Sequence, residues 1–207
     1  MKRKLLVATG NKGKIKEIEN YLENIDENFT LEIIGLSQYP DLPEVEEDGD
    51  TFTTNALKKA RERAKETGLL SLADDSGLVV DYLEGAPGVY SARYAGENVT
   101  DSDNNQKLLD ELKGIPEDKR NAHFKCVLAL VDPDTEKEIV VQGICEGTIG
   151  IEPQGENGFG YDPLFFLPKF NKTMAELPLK IKNRISHRAN GLKKMKEELK
   201  ERYKELF

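Results

Sequence analysis

The sequence predicts an α/β fold, and three observations carry that expectation. A short apolar run at 5–8 is followed by a glycine-containing turn and then by apolar residues at helical spacing. A second apolar run at 31–35 completes a strand–loop–helix–strand unit, although periodicity alone leaves parallel pairing open. Later stretches again alternate apolar runs with amphipathic helices. The 207 residues suffice for one large domain or two closely packed lobes, and 1–207 reads as a single domain without internal repeat or linker.

Taken in order, Leu5, Leu6, Val7 and Ala8 form the first strand, which ends at Thr9-Gly10-Asn11. Ile15, Ile18, Leu22 and Ile25 recur with lysines and glutamates between them, which predicts a helix over 13–24. A strand follows at 31–35. Residues 36–50 read as loop, with Pro40 and Pro43 before the acidic Glu44, Glu46, Glu47, Asp48 and Asp50. Thr51 can cap a helix with Phe52, Ala56, Leu57, Ala60 and Ala64 on one face, and Gly68 ends it. The apolar strand at 69–73 runs into Asp74-Asp75-Ser76-Gly77, read as a strand end, and a further apolar run occupies 78–80. Glycines and Pro87 make 84–100 mostly loop, and a helix is expected over 102–112. A strand at 124–131 turns at Asp132-Pro133-Asp134 into a hairpin partner at 138–144. The glycine-rich loop 152–163 precedes a short aromatic strand at 164–167. The C-terminal helix carries Ile185, Ala189, Leu192, Met195, Leu199, Tyr203 and Leu206 on one face.

Composition excludes several classes. Hydrophobic residues make up 38% of the chain, so a core can be buried. Charged residues make up 33%, above the roughly 25% of ordinary globular proteins, a pattern commoner in heat-adapted chains. The net charge of -8 argues against a nucleic-acid binder, which needs a basic face. A small anionic ligand remains compatible, because local cations and a metal offset the overall field. Cys126 and Cys145 form no CxxC pair, which argues against zinc and reads as two buried strand thiols in a reducing cytoplasm. No apolar run approaches the ~18 residues of a membrane span. The run at 5–8 behind Met1-Lys2-Arg3-Lys4 is too short for a signal peptide. A cytoplasmic protein without a membrane partner is expected.

Four constellations carry chemistry. Thr9, Gly10, Asn11, Lys12, Gly13 and Lys14 lie between strand and helix, where backbone N–H groups, the helix N-terminus and two lysines suit a triphosphate. The spacing is not that of a P-loop, and an ordinary turn with solvated lysines has the same composition. Asp74 and Asp75 repel each other unless cations or hydrogen bonds hold them, so they are candidates for a metal ligand and a base acting on water. The acidic loop at 44–50 could add a ligand or be merely solvated. Phe159 and Tyr161 flank Gly160, where an aromatic ring can stack on a base or pack at the core edge. Ser186, His187 and Arg188, preceded by Lys180, Lys182 and Arg184, offer a helix cap and adjacent donors for a purine carbonyl oxygen, or simply solvated charge.

In register, these segments resemble the inosine triphosphate pyrophosphatase family. The resemblance runs from Ala8 to Lys14, through Thr51-Phe52, Asn55-Ala56 and Lys59, to Ala73-Asp74-Asp75-Ser76-Gly77-Leu78. It continues through the stretch from Gly85 to Tyr94 and Gly158-Phe159-Gly160-Tyr161-Asp162-Pro163, and ends at Ile185-Ser186-His187-Arg188. It implies an elongated, twisted mixed sheet flanked by helices, in two lobes with the active site in the central cleft. It also implies a homodimer, dependence on magnesium (Mg2+), and hydrolysis of ITP, dITP and XTP to the monophosphate and pyrophosphate. Carried over by position, Thr9 to Lys14 and Lys59 would bind the triphosphate. Glu47 and Asp75 would hold the metal, and Asp75 would be the catalytic base. Ser76, Phe159, Gly160, Tyr161, Asp162, Lys182, His187 and Arg188 would bind the nucleoside, with His187 and Arg188 reading the base. Thr54 departs from the family, which often carries Glu there, so Asp74 or Asp75 would take more of the metal. Septum-inhibitor-like nucleotide pyrophosphatases share the implied fold, but the His187-Arg188 pair and the 158–163 loop favour the purine branch. A non-catalytic nucleotide sensor would not need the intact Asp74-Asp75 pair.

Overall fold

The computed structural model describes residues 2–27 and 29–206, without the side chains of 203–206, so Tyr203 and Leu206 of the expected helix face lie outside the described residues. A seven-stranded mixed sheet organises the chain, in the order β2-β1-β3-β4-β5-β6-β7. Its strands are β1 (Lys2–Val7), β2 (Thr30–Gly35), β3 (Leu70–Val80), β4 (Asn121–Val131), β5 (Glu138–Ile149), β6 (Phe165–Leu167) and β7 (Lys172–Thr173). The helices are α1 (Lys12–Leu22), α2 (Phe52–Thr67), α3 (Asp101–Glu111), α4 (Leu179–Ile185) and α5 (His187–Leu206). β1 pairs parallel with both β2 and β3, which settles the pairing that periodicity left open. β6 pairs antiparallel with β5 and β7. The α/β expectation is met.

The chain divides into two compact units. The first comprises Met1–Asp75, Cys126–Gly143 and Arg188–Phe207, and the second Ser76–Lys125 and Ile144–His187. Each has its own apolar core. In the first, Leu5 and Val7 of β1 and Leu70 and Leu72 of β3 pack with Ile18 and Leu22 of α1 and Leu192, Met195 and Leu199 of α5. In the second, Leu78 and Val80 pack with Leu108 of α3, Phe124 of β4 and Tyr161, Leu164 and Phe165. Cys126 and Cys145 are free and buried, and burial pushes the Cys126 thiol up to about 12.

Local chemistry explains the helix limits. Asn11 accepts hydrogen bonds from the N–H groups of Gly13 and Lys14, at 2.8 and 3.1 Å, and so caps α1. Thr51 and Thr54 form a reciprocal capping box at the start of α2, and Gly68 ends it in the left-handed conformation at φ 65°. Thr54, the departure from the family pattern, is thus engaged as a cap.

Two expectations need correction. Asp74-Asp75-Ser76-Gly77 is no strand end, because β3 runs unbroken from Leu70 to Val80. Gly77 is there for close approach: a Cβ on it would sit 2.6 Å from the Gly88 carbonyl oxygen. The neighbouring Ser91 hydroxyl accepts from the Leu78 N–H and donates to Gly88 O, which ties the 3-10 turn Gly88–Arg93 to the strand. The C-terminal helix is also interrupted. Ile185 closes α4, and extended backbone at Ser186 separates it from α5.

Candidate active site

In the first unit, three elements and a loop bring charge to β3. Successive residues of a strand point to opposite faces, so Asp74 and Asp75 meet different partners. Asp74 is 6% exposed. Lys14 Nζ of α1 lies 3.1 and 3.0 Å from its two carboxylate oxygens. Arg188, at the start of α5, donates through Nε and Nη2 to Asp74 Oδ2 at 3.3 and 3.1 Å, and its Nη1 reaches Glu17 at 3.4 Å. Burial alone would raise the pKa of Asp74, but Lys14 and Arg188 outweigh it and hold the carboxyl well below the usual range.

Asp75, 8% exposed, is in the opposite state. Asn55 of α2 donates to its Oδ2 at 3.1 Å, and Lys59 Nζ stands 3.5 Å from Oδ1. Lys59 also donates to Glu47 Oε1 and to the Asp74 carbonyl oxygen, each at 2.7 Å. Burial raises the pKa of Asp75; Glu47 and Asp74 add to it, and Lys59 and Asn55 offset it only in part. Burial opposes the charge on Lys59, but Asp75 and Glu47 more than compensate and keep its ammonium protonated. Two consecutive carboxylates are therefore pushed apart, one locked as an anion and one shifted towards accepting a proton.

Among the described residues, no three His, Cys, Asp or Glu side chains converge as a protein cage for a metal would require. The donor set nonetheless suits a hard divalent cation. Glu47 and Asp75 are brought to one ammonium, and magnesium typically takes one or two carboxylates and completes its shell with water and substrate phosphates.

The 9–14 segment follows β1 directly. The Ala8 N–H donates to Leu72 O at 2.8 Å, and Thr9 Oγ1 accepts from the Asn11 N–H at 3.2 Å. Gly10, Lys12 and Gly13 are exposed, and a Cβ on Gly10 would meet nothing within 4 Å. The positive end of α1 thus opens to solvent, with Lys14 drawn inward to Asp74.

In the second unit, Gly158 and Gly160 take left-handed φ values of 86° and 60° and leave Phe159 59% exposed between them. Asp162 is buried, accepts from the Phe159 N–H at 3.0 Å and pairs with Lys182 of α4. Lys182 Nζ also stands 4.7 Å from the centroid of the Phe159 ring. Tyr161 points inward and donates to Ser91 O at 2.9 Å; burial pushes its phenol above the ordinary value. His187 stacks on Phe124 with centroids 5.0 Å apart. Ser76 lies half-buried in β3.

The structure therefore gathers Lys14, Glu47, Lys59, Asp75 and Arg188 in one unit, and Phe159, Gly160, Tyr161, Asp162 and Lys182 in the other. His187 and Arg188, adjacent in sequence, have different partners: His187 an aromatic ring, Arg188 the Asp74 carboxylate. Sequence reasoning gave no role to Glu17 and none to the Asn55 side chain. A buried asparagine on the otherwise apolar Phe52, Ala56 and Ala60 face was the available signal, since buried polar groups need partners.

Comparison with known proteins shows the family and the fold. The model described as Ham1 family matches residues 5–198. A dITP/XTP pyrophosphatase of Geobacter sulfurreducens is 54% identical over 196 residues, covering 95% of this chain and 96% of that one. A dITP/XTP pyrophosphatase of Desulforamulus reducens is 50% identical over 200 residues, covering 97% of each. The solved structure of a HAM1 protein from Coxiella burnetii matches with a TM-score of 0.88 and 42% identity, over 96% of this chain and 99% of that one.

Proposed function

The chain belongs to the Ham1 family, and we propose that it hydrolyses the non-standard purine nucleoside triphosphates dITP, ITP and XTP to the nucleoside monophosphate and pyrophosphate, removing them from the nucleotide pool. The observation that carries the chemistry is that the adjacent, buried Asp74 and Asp75 meet different partners: Lys14 and Arg188 close on Asp74, whereas Asn55 and Lys59 meet Asp75. Neighbouring carboxyls whose surroundings drive their pKa values apart divide acid–base roles between them. Asp75, buried and oriented by Asn55, takes the proton of the attacking water as the α–β phosphoanhydride opens and pyrophosphate leaves. Asp74 holds Lys14 and Arg188 in place. Lys59 and the N-terminus of α1, with Thr9, Gly10, Asn11, Lys12 and Gly13, supply positive potential for the triphosphate. Glu47 and Asp75 would hold Mg2+, which when bound neutralises charge on the phosphates.

Phe159 offers an exposed face for a purine, and Asp162 and Lys182 lie beside it as acceptor and donor. Ser76, Gly160, Tyr161 and His187 complete the nucleoside-binding set. Donors facing a 6-oxo group are left unpaired by the 6-amino group of adenine, at a cost of about 1–3 kcal/mol each. The family resemblance is also the ground for a homodimer acting in the cytoplasm, checked by light scattering across micromolar concentrations. The activity itself is tested with a nucleotide panel, with and without chelator. Pyrophosphate release from dITP, ITP and XTP that stops with chelator and returns with magnesium supports the reading; equal release from ATP contradicts it.

A further inference from the structure

The loop at 159–162 borders a cavity on the side of α3. The cavity measures about 300 Å³ and is lined in part by Asn105, Gln106 and Leu109 of α3 and by Pro153, Gly158 and Phe159. Two hydrogen bonds hold the loop to the helix beside it. The Gly160 N–H donates to Asp101 Oδ2 at 2.6 Å, and Asn105 Nδ2 donates to the Gly160 carbonyl oxygen at 3.0 Å. Asp101 and Asn105 are one turn apart and so lie above one another on one face of α3. That face offers an acceptor and a donor to both polar groups of a single residue.

The two grips differ in setting. Asp101 is exposed in the first turn of α3, where the helix favours negative charge. Asn105 is only 9% exposed; its Oδ1 meets no donor, and its Nδ2 reaches the loop. Gly160 is where the loop changes character. After it, Tyr161 and Asp162 are buried and anchored; before it, Phe159 is tied through its N–H to Asp162 while its ring is exposed. The conformation at Gly160 therefore sets the direction of the Phe159 ring relative to a fixed base.

We propose that Asp101 and Asn105 are positioning residues for base recognition: by gripping both polar groups of Gly160 they hold Phe159 in the pose that stacks on the purine, and, because stacking itself accepts any base, they contribute to selectivity by fixing where the 6-position falls against the donor beside the ring, Lys182. This rests on the function proposed above. The test combines Asp101→Ala, the conservative Asp101→Asn, which keeps an acceptor oxygen, and Asn105→Ala. Amide hydrogen exchange is followed at Gly160, and kcat and KM are measured for ITP and ATP. Asp101→Ala should speed exchange at Gly160 and raise KM for ITP about tenfold, in the range of a lost base-stacking contact, with kcat nearly unchanged. The ITP-over-ATP ratio should fall with it, and inhibition by inorganic pyrophosphate should not change. Asp101→Asn should restore most of the ratio, and Asn105→Ala should move it in the same direction as Asp101→Ala. Faster exchange with an unchanged ratio overturns the proposal, as does an equal loss of kcat for both nucleotides. A wild-type protein that cleaves neither nucleotide sinks the functional reading instead, so the two failures are distinguishable.

Discussion

Asp75 lies in the middle of a strand, buried and fixed by side chains from α2, whereas Phe159 lies in a loop, exposed between two left-handed glycines. The first region is held by regular structure and by a lattice of charge: Lys14, Lys59 and Arg188 against Glu17, Glu47, Asp74 and Asp75. The second is held by hydrogen bonds to one residue, Gly160, by that from the Phe159 N–H to Asp162 and by one ion pair, with a cavity alongside. The chemistry is thus built where displacement costs most, and the choice of base where small changes are tolerated. Substitutions in the first region should change turnover, and those that leave a buried charge without its partner should change stability as well. Those in the second should change KM and selectivity while leaving the fold intact.

The largest expected effect is at Asp75. Asp75→Asn keeps shape and removes the proton acceptor, so turnover should fall at least ~100-fold, the lower end for a general base. Its melting temperature should stay near wild type; near-normal turnover in the folded variant would move the role to Asp74. Next comes Arg188→Ala, which leaves Asp74 buried with one cation fewer. Breaking such a pair costs about 3 kcal/mol. Chemical denaturation should show that loss, and ITP and ATP cleavage should decline in parallel. A selective loss of ITP cleavage would instead place the guanidinium on the base.

Smaller is Phe159→Ala. The ring is 59% exposed, so stability should hold while KM for ITP rises about tenfold, the size of a lost base–aromatic stack. A changed kcat with constant KM would break the contrast between the regions. The smallest effect lies away from both, where the same charge-locking operates at the β4–β5 turn. Arg3 donates to the two oxygens of Asp132 at 3.1 and 2.7 Å. Burial alone would raise the pKa of Asp132, but Arg3 and hydrogen bonds from Asp134 and Thr135 lower it. Its contribution to stability is therefore complete above the unfolded carboxylate value near ~4 and is lost as pH falls through the lower folded value. Urea denaturation of wild type and Arg3→Met should show a gap at pH 7 that narrows in acid; a constant gap would contradict the pairing.

Much of this was legible in the chain because it is local. The capping threonine at 51, the glycine at 68 and the apolar spacing of α1 and α2 depend on neighbours within a few residues. The Asp74-Asp75 pair stood out because adjacent like charges demand partners. Gly77 misled because Ser-Gly is usually turn chemistry, and the reason for it, the Gly88 carbonyl against its α-carbon, is remote in sequence. The partners of Arg188 were hidden for the same reason: Asp74 is 114 residues away. Asp101, outside the expected helix at 102–112, and Asn105 carried no signal in the sequence until the loop they grip was in place.

The most direct measurement of the central claim is the identity of the products when purified protein meets dITP and magnesium, followed by phosphorus NMR, with Asp75→Asn alongside. The account predicts dIMP and pyrophosphate as the first products of wild type, with the variant leaving dITP intact over the same interval. Deoxyinosine diphosphate and orthophosphate, or equal turnover by the variant, would contradict it.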